Sequence, residues 1–88
     1  MYHVDLASSR VENALDNLPP AIQNRVLQAI ASLSENPRPL RARKLRGTDN
    51  LYRIRIGRYR VIYWIDDEER LIVITKIAKR DESTYRRL

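Results

Sequence analysis

The stretch LYRIRIGRYRVIYWI, residues 51–65, carries arginines at positions 53, 55, 58 and 60. A guanidinium keeps its charge at any ordinary pH and presents a planar fork of donors. It therefore binds phosphate and stabilises developing negative charge rather than exchanging protons. Like charges set opposite one another weaken a strand pair, so a sheet that carries several needs a reason beyond folding.

The spacing says where these charges point. With Gly57 and Arg58 as a two-residue turn, glycine taking the positive φ of a type II′ turn, Arg55 faces Arg60, Ile54 faces Val61 and Arg53 faces Ile62. Side chains alternate across a sheet. Arg53, Arg55 and Arg60 thus share one face, while Tyr52, Ile54, Ile56, Tyr59, Val61 and Tyr63 share the other, which is the expected core face. The same parity carried into the last strand adds Ile72, Ile74 and Lys76 to the arginine face, with Lys79 and Arg80 just beyond its end. Such a patch fits a phosphate backbone, and Tyr85, close to Arg80 in sequence, could stack on a base or donate a proton. Trp64 has the parity of the arginines and is expected to close the core at a sheet edge. His3 is expected at the core edge or surface of the first strand.

Other chemistries lack their residues. Cysteine is absent and there is a single histidine. This excludes a disulfide frame, a thiolate metal site, a cysteine nucleophile and a histidine pair, so neither a metal nor another cofactor is expected. No apolar run approaches the length of a membrane span, and MYHVDLASS lacks the basic start and apolar stretch of a secretory signal; the expected location is cytoplasmic. The 17 Lys and Arg exceed the 11 Asp and Glu, giving a formal charge of +6. That excess points to a nucleic acid or an acidic protein as partner.

The elements that must hold the arginines can be read in order. YHVDL alternates as a short strand. Ser8 or Ser9 caps a helix, with Glu12 at capping-box spacing from Ser9, and Val11, Ala14, Leu15 and Leu18 follow at helical period. Pro19 and Pro20 stop it, and Pro20 suits the first turn of the next helix, where Ile22, Val26, Ala29, Ile30 and Leu33 make an apolar stripe. Residues 36–50, NPRPLRARKLRGTDN, read as a connector rich in basic side chains. The period then changes from helical to two through LYRIRI, RYRVIYWI and LIVITKIA, with an acidic turn from Asp66 to Glu69. The expectation is one α+β domain over residues 1–88, a two-helix hairpin on a small, mainly antiparallel sheet, in the order β-α-α-β-β-β with a short basic C-terminal tail.

KLRGTDNLYRIRIGRYRVIYWIDDEERLIVITKIAKRDESTY resembles the RelE branch of the RelE/ParE toxin superfamily of bacterial toxin–antitoxin systems. The resemblance lies in KLRG, then Y-x-I-R-x-G-x-Y-R-V-I-Y, an acidic turn, an apolar strand and a K-R-x-x-x-x-Y ending. It implies a toxin that cuts messenger RNA in the ribosomal decoding site and is held inactive by a cognate antitoxin. The implied reaction is metal-independent: the ribose 2′-OH attacks the adjacent phosphate, leaving a cyclic phosphate and a free 5′-OH.

By the same resemblance, Arg60 matches the phosphate-contacting arginine, Arg80 the arginine after the last strand and Tyr85 the tyrosine near the terminus. Arg53 and Arg55 stand where well-known members have two lysines. Arginine does not lose its proton, so these two bind and stabilise phosphate, and Tyr85 becomes the proton-handling group with Lys79 as a second candidate. Lys44, Arg46 and Arg41, ahead of the hairpin, are expected to touch RNA backbone as positioning contacts, as is Lys79. The expected partners are the antitoxin, in a complex that could be of higher order, and the ribosome with its message. Two readings compete: a ParE-like gyrase-directed toxin without nuclease activity, against which Arg60, Arg80 and Tyr85 speak together, and a weakly active RNA-binding relative.

Overall fold

In the computed structural model, the described residues are 1–79. The elements run β1 (His3–Leu6), α1 (Ser9–Asp16), α2 (Pro20–Glu35), β2 (Arg43–Lys44), β3 (Leu51–Ile56), β4 (Tyr59–Asp66) and β5 (Leu71–Lys79). One five-stranded sheet has the order β1-β5-β4-β3-β2; β1 runs parallel to β5 and every other pair is antiparallel. The helix pair and the mainly antiparallel sheet agree with the sequence reading. β2 is an addition, a two-residue strand inside what reads as connector.

Helix boundaries follow local chemistry. The N-cap of α1 is Ser8, whose oxygen accepts from the Val11 amide; Glu12 then lies in the first turn, near the positive end of the helix dipole, rather than at capping-box spacing. α2 opens with Pro20 at its first position, where a missing amide costs nothing. Its stripe of Val26, Ala29 and Leu33 is buried, and with Val11 and Leu18 it covers Ile54, Ile56, Val61, Tyr63, Ile65, Ile72, Ile74 and Ile77 of the sheet. Each such side chain fully buried contributes roughly 1.5–3 kcal/mol.

The hairpin register matches the two-residue turn: Ile56 pairs with Tyr59, Ile54 with Val61 and Arg53 with Ile62. Gly57 adopts φ +59° there. The last strand departs from simple alternation. Ile62 pairs with Lys76 but Tyr63 pairs with Ile74, so Thr75 is an extra residue in a bulge, and its hydroxyl donates to the Ile62 carbonyl at 3.1 Å. One inserted residue reverses parity. Ile72 and Ile74 therefore lie in the core instead of on the arginine face, and only Lys76 joins the arginines. Trp64 is half-buried on β4, the central strand, between Leu51 and Val73, so it does not close a sheet edge.

Candidate functional site

The face of the sheet opposite the helices carries the charge. Arg55 and Arg60 are paired across β3 and β4. Arg53 lies two residues along β3, and Lys76 stands on β5 beside Ile62. β2 brings a further cation, because Arg43 pairs with Arg53 and shares its face. Opposite Arg60 on its other side stands Ala78, whose small side chain leaves room above the strand. Beyond this basic half the same face turns apolar and then acidic, through Ile62, Trp64 and Val73 to Asp66. A shallow depression of about 410 Å³ there is lined by Asn50, Trp64, Ile65, Asp66, Asp67 and Glu68.

Arg60 is the focus of the basic half. It is half-buried, and its Nε is buried with no hydrogen-bond acceptor among the described residues. A buried donor left unmatched costs about 1–3 kcal/mol. The strand pairing holds it in place regardless, between Arg55 and Ala78. An incoming anion would meet the accessible part of the Arg60 guanidinium and the positive potential of Arg55 together.

The structure separates the residues that the sequence groups. Arg53, Arg55 and Arg60 come together as read. Lys44 pairs with Tyr52, so its register directs it to the helix side while its neighbour Arg43 takes the arginine face. Arg41 and Arg46 are exposed in the turns on either side of β2. Lys79 is the last residue of β5 rather than beyond it, and it pairs with Tyr59, whose parity is that of the core. Arg80 and Tyr85 lie outside the described residues. His3 is exposed on the edge strand β1, 2.7 Å from Asp5.

Sequence reasoning missed Arg43 and Arg38. Arg43 was hidden because two residues of strand give no period. Arg38, in the loop after α2, makes a two-pronged ion pair with Asp67, Nη1 to Oδ1 at 3.2 Å and Nη2 to Oδ2 at 2.8 Å. Its Nε donates to the Tyr52 hydroxyl at 3.0 Å. Asp67 also accepts from the Tyr2 hydroxyl at 2.6 Å. Hydrogen bonds from Arg38 and then Tyr2 hold the Asp67 carboxyl below its ordinary value, and Arg38 is correspondingly raised. The Tyr52 ring stacks on Tyr63 at 5.9 Å, and the Tyr63 hydroxyl donates to the Pro37 carbonyl at 2.8 Å. Burial first, and the neighbouring Tyr52 second, push Tyr63 up to about 12. It cannot supply a proton-transfer group near neutral pH.

Comparison with known proteins adds a family and a set of folds. Residues 5–84 match the model of the ParE toxin of type II toxin–antitoxin systems, parDE. The chain is 41% identical over 78 residues to Toxin RelG of Mycobacterium tuberculosis, covering 83% of this chain and 84% of the relative. It superposes on the archaeal RelE–RelB complex from Pyrococcus horikoshii with TM-score 0.81 and 36% identity, covering 92% of this chain and 97% of the other. The RelBE2 toxin–antitoxin complex from Mycobacterium tuberculosis gives TM-score 0.75 and 31% identity over 90% of this chain and 98% of the other.

Proposed function

The chain belongs to the ParE toxin family of type II toxin–antitoxin systems, and we propose that this RelE-like toxin is an endoribonuclease that cleaves messenger RNA on the ribosome, in the cytoplasm. The observation that carries the reading is the pairing of Arg55 with Arg60, whose buried Nε lacks an acceptor among the described residues. Cations concentrated there suit a phosphodiester whose charge grows in the transition state.

In the proposed reaction the ribose 2′-oxygen bonds to the adjacent phosphorus and the bond from phosphorus to the 5′-oxygen breaks. A base takes the 2′ proton, an acid returns one to the leaving 5′-oxygen, and the products are a 2′,3′-cyclic phosphate and a free 5′-OH. Arg60 contacts the phosphate through its guanidinium, with Arg55 and Arg53 sharing the charge. Arg80 joins them by its resemblance to the family arginine. Proton handling falls to Tyr85, since the register of Lys79 turns that lysine toward the helices. Arg41 and Arg46, exposed in the turns beside β2, hold RNA backbone at the edge of the sheet; the register of Lys44, toward the helices, takes it away from that contact.

A cognate antitoxin is the inhibitory partner in this reading. The solved relatives described as RelE–RelB and RelBE2 complexes support it. A segment able to neutralise so much arginine must be acidic, and a disordered chain that folds on binding fits the extended surface. The description of the matching family model as ParE favours a second reading, a gyrase-directed toxin. Pulse labelling of cells that produce the chain without antitoxin separates the two. Incorporation of amino acids stops first if messages are cut; incorporation of thymidine stops first if gyrase is the target.

A further inference from the structure

The loop between α2 and β2 is braced on both sides of an exposed apolar residue. Upstream, Arg38 is tied to Asp67 and Tyr52, and Tyr63 holds the Pro37 carbonyl. Pro37 and Pro39 fix φ on either side of Arg38. Downstream, the Ala42 amide donates to the Pro39 carbonyl at 2.9 Å, and Arg43 Nη1 folds back onto the carbonyls of Leu40 at 2.8 Å and Ala42 at 3.1 Å. Ala42 packs against the core and Leu45 is half-buried, so they anchor the segment. At the crest, the Leu40 carbonyl is held by Arg43 while its side chain takes no part in the anchoring, the residue being 98% exposed.

A lone leucine on a surface means little by itself. This one differs because its own carbonyl and both flanks are held, so little conformational freedom remains to be lost when a partner covers it. The charged side chains that follow it along the chain are also one-signed: Arg41, Arg43, Lys44 and Arg46 are all exposed. An apolar knob inside a basic collar complements apolar side chains bordered by carboxylates. A phosphate backbone would satisfy the collar and offer nothing to the leucine.

We propose that residues 38–46 form a preformed docking knob for the antitoxin, with Leu40 inserted among apolar side chains of an acidic amphipathic segment and the collar paired with its carboxylates. The inference rests on the toxin reading above and adds where the inhibitor grips. Because the collar includes Arg41 and Arg46, an antitoxin seated there also masks the contacts assigned to RNA backbone.

The test starts from the antitoxin recovered as the fragment of the organism's own genome that restores growth to cells producing this chain. Its affinity for the toxin is then measured for wild type, Leu40→Ser and Leu40→Met, alongside cleavage of message on ribosomes by the free toxins. Leu40→Ser should weaken antitoxin binding by about 10- to 100-fold, chiefly through faster dissociation, while Leu40→Met stays within about threefold of wild type. Cleavage by both variants should match wild type. Unchanged antitoxin affinity for Leu40→Ser overturns the inference, and reduced cleavage beside unchanged affinity makes Leu40 an RNA contact instead. If the chain does not arrest growth, or no fragment restores it, the toxin reading fails and this inference fails with it.

Discussion

Arg55 and Arg60 are direct cross-strand partners on the sheet face opposite the helices, and Arg60 Nε has no acceptor among the described residues. Both features oppose folding, the first through repulsion and the second through an unmatched donor. An anion bound between them would relieve the first. Arg60→Ala should therefore leave the thermal midpoint unchanged or slightly raised, within about 0.5 kcal/mol of wild type, while cutting single-turnover cleavage by roughly 10²-fold or more. A midpoint several degrees lower would mean that the arginine serves the fold.

Tyr85→Phe should slow cleavage by about 10² to 10⁴ while leaving ribosome binding nearly intact. The ring is kept for stacking and only the hydroxyl is lost. Single-turnover rates with binding measured separately decide it. A Tyr85→Phe toxin that cuts at the wild-type rate while Lys79→Ala is dead would assign the proton to Lys79.

The Arg38–Asp67 pair predicts a pH dependence. The Asp67 carboxyl is held low in the fold by hydrogen bonds from Arg38 and Tyr2. A depressed carboxyl contributes stability that is present above its unfolded value, about 3.9, and is lost as pH falls through the lower folded value. Asp67→Asn should melt slightly below wild type at neutral pH, slightly because both side chains are well exposed. The two curves should converge in acid, once pH has fallen below the depressed folded value. A gap that persists there would place its origin outside this titration.

Gly57→Ala should destabilise by about 1–2 kcal/mol through backbone conformation alone. Gly57 sits at φ +59°, whereas an added Cβ would meet Ile22 Cδ1 at 3.5 Å, an ordinary contact. Chemical denaturation measures the loss, and Ile22→Ala combined with Gly57→Ala should recover none of it.

The hairpin was legible in the sequence because its turn is two residues long, which leaves a single register and places Arg53, Arg55 and Arg60 together by parity. The helices were legible from their stripes and from Pro20. The first half of the last strand was misread because a bulge at Thr75 has no signature in an apolar, β-branched run, and one extra residue was enough to send Ile72 and Ile74 to the core while Lys76 kept the expected face. Arg38 escaped notice for a different reason. Its partner Asp67 is 29 residues away, and only the tertiary fold brings the loop after α2 against the β4–β5 turn.

The most direct test is primer-extension mapping of a defined message on purified, programmed ribosomes, with wild type and Arg60→Ala compared and the new ends analysed chemically. The account predicts codon-phased cuts by wild type, ending in 2′,3′-cyclic phosphate on one side and 5′-OH on the other, and none above background by Arg60→Ala. An intact message in the presence of wild-type protein, together with inhibition of DNA supercoiling by gyrase, would contradict it.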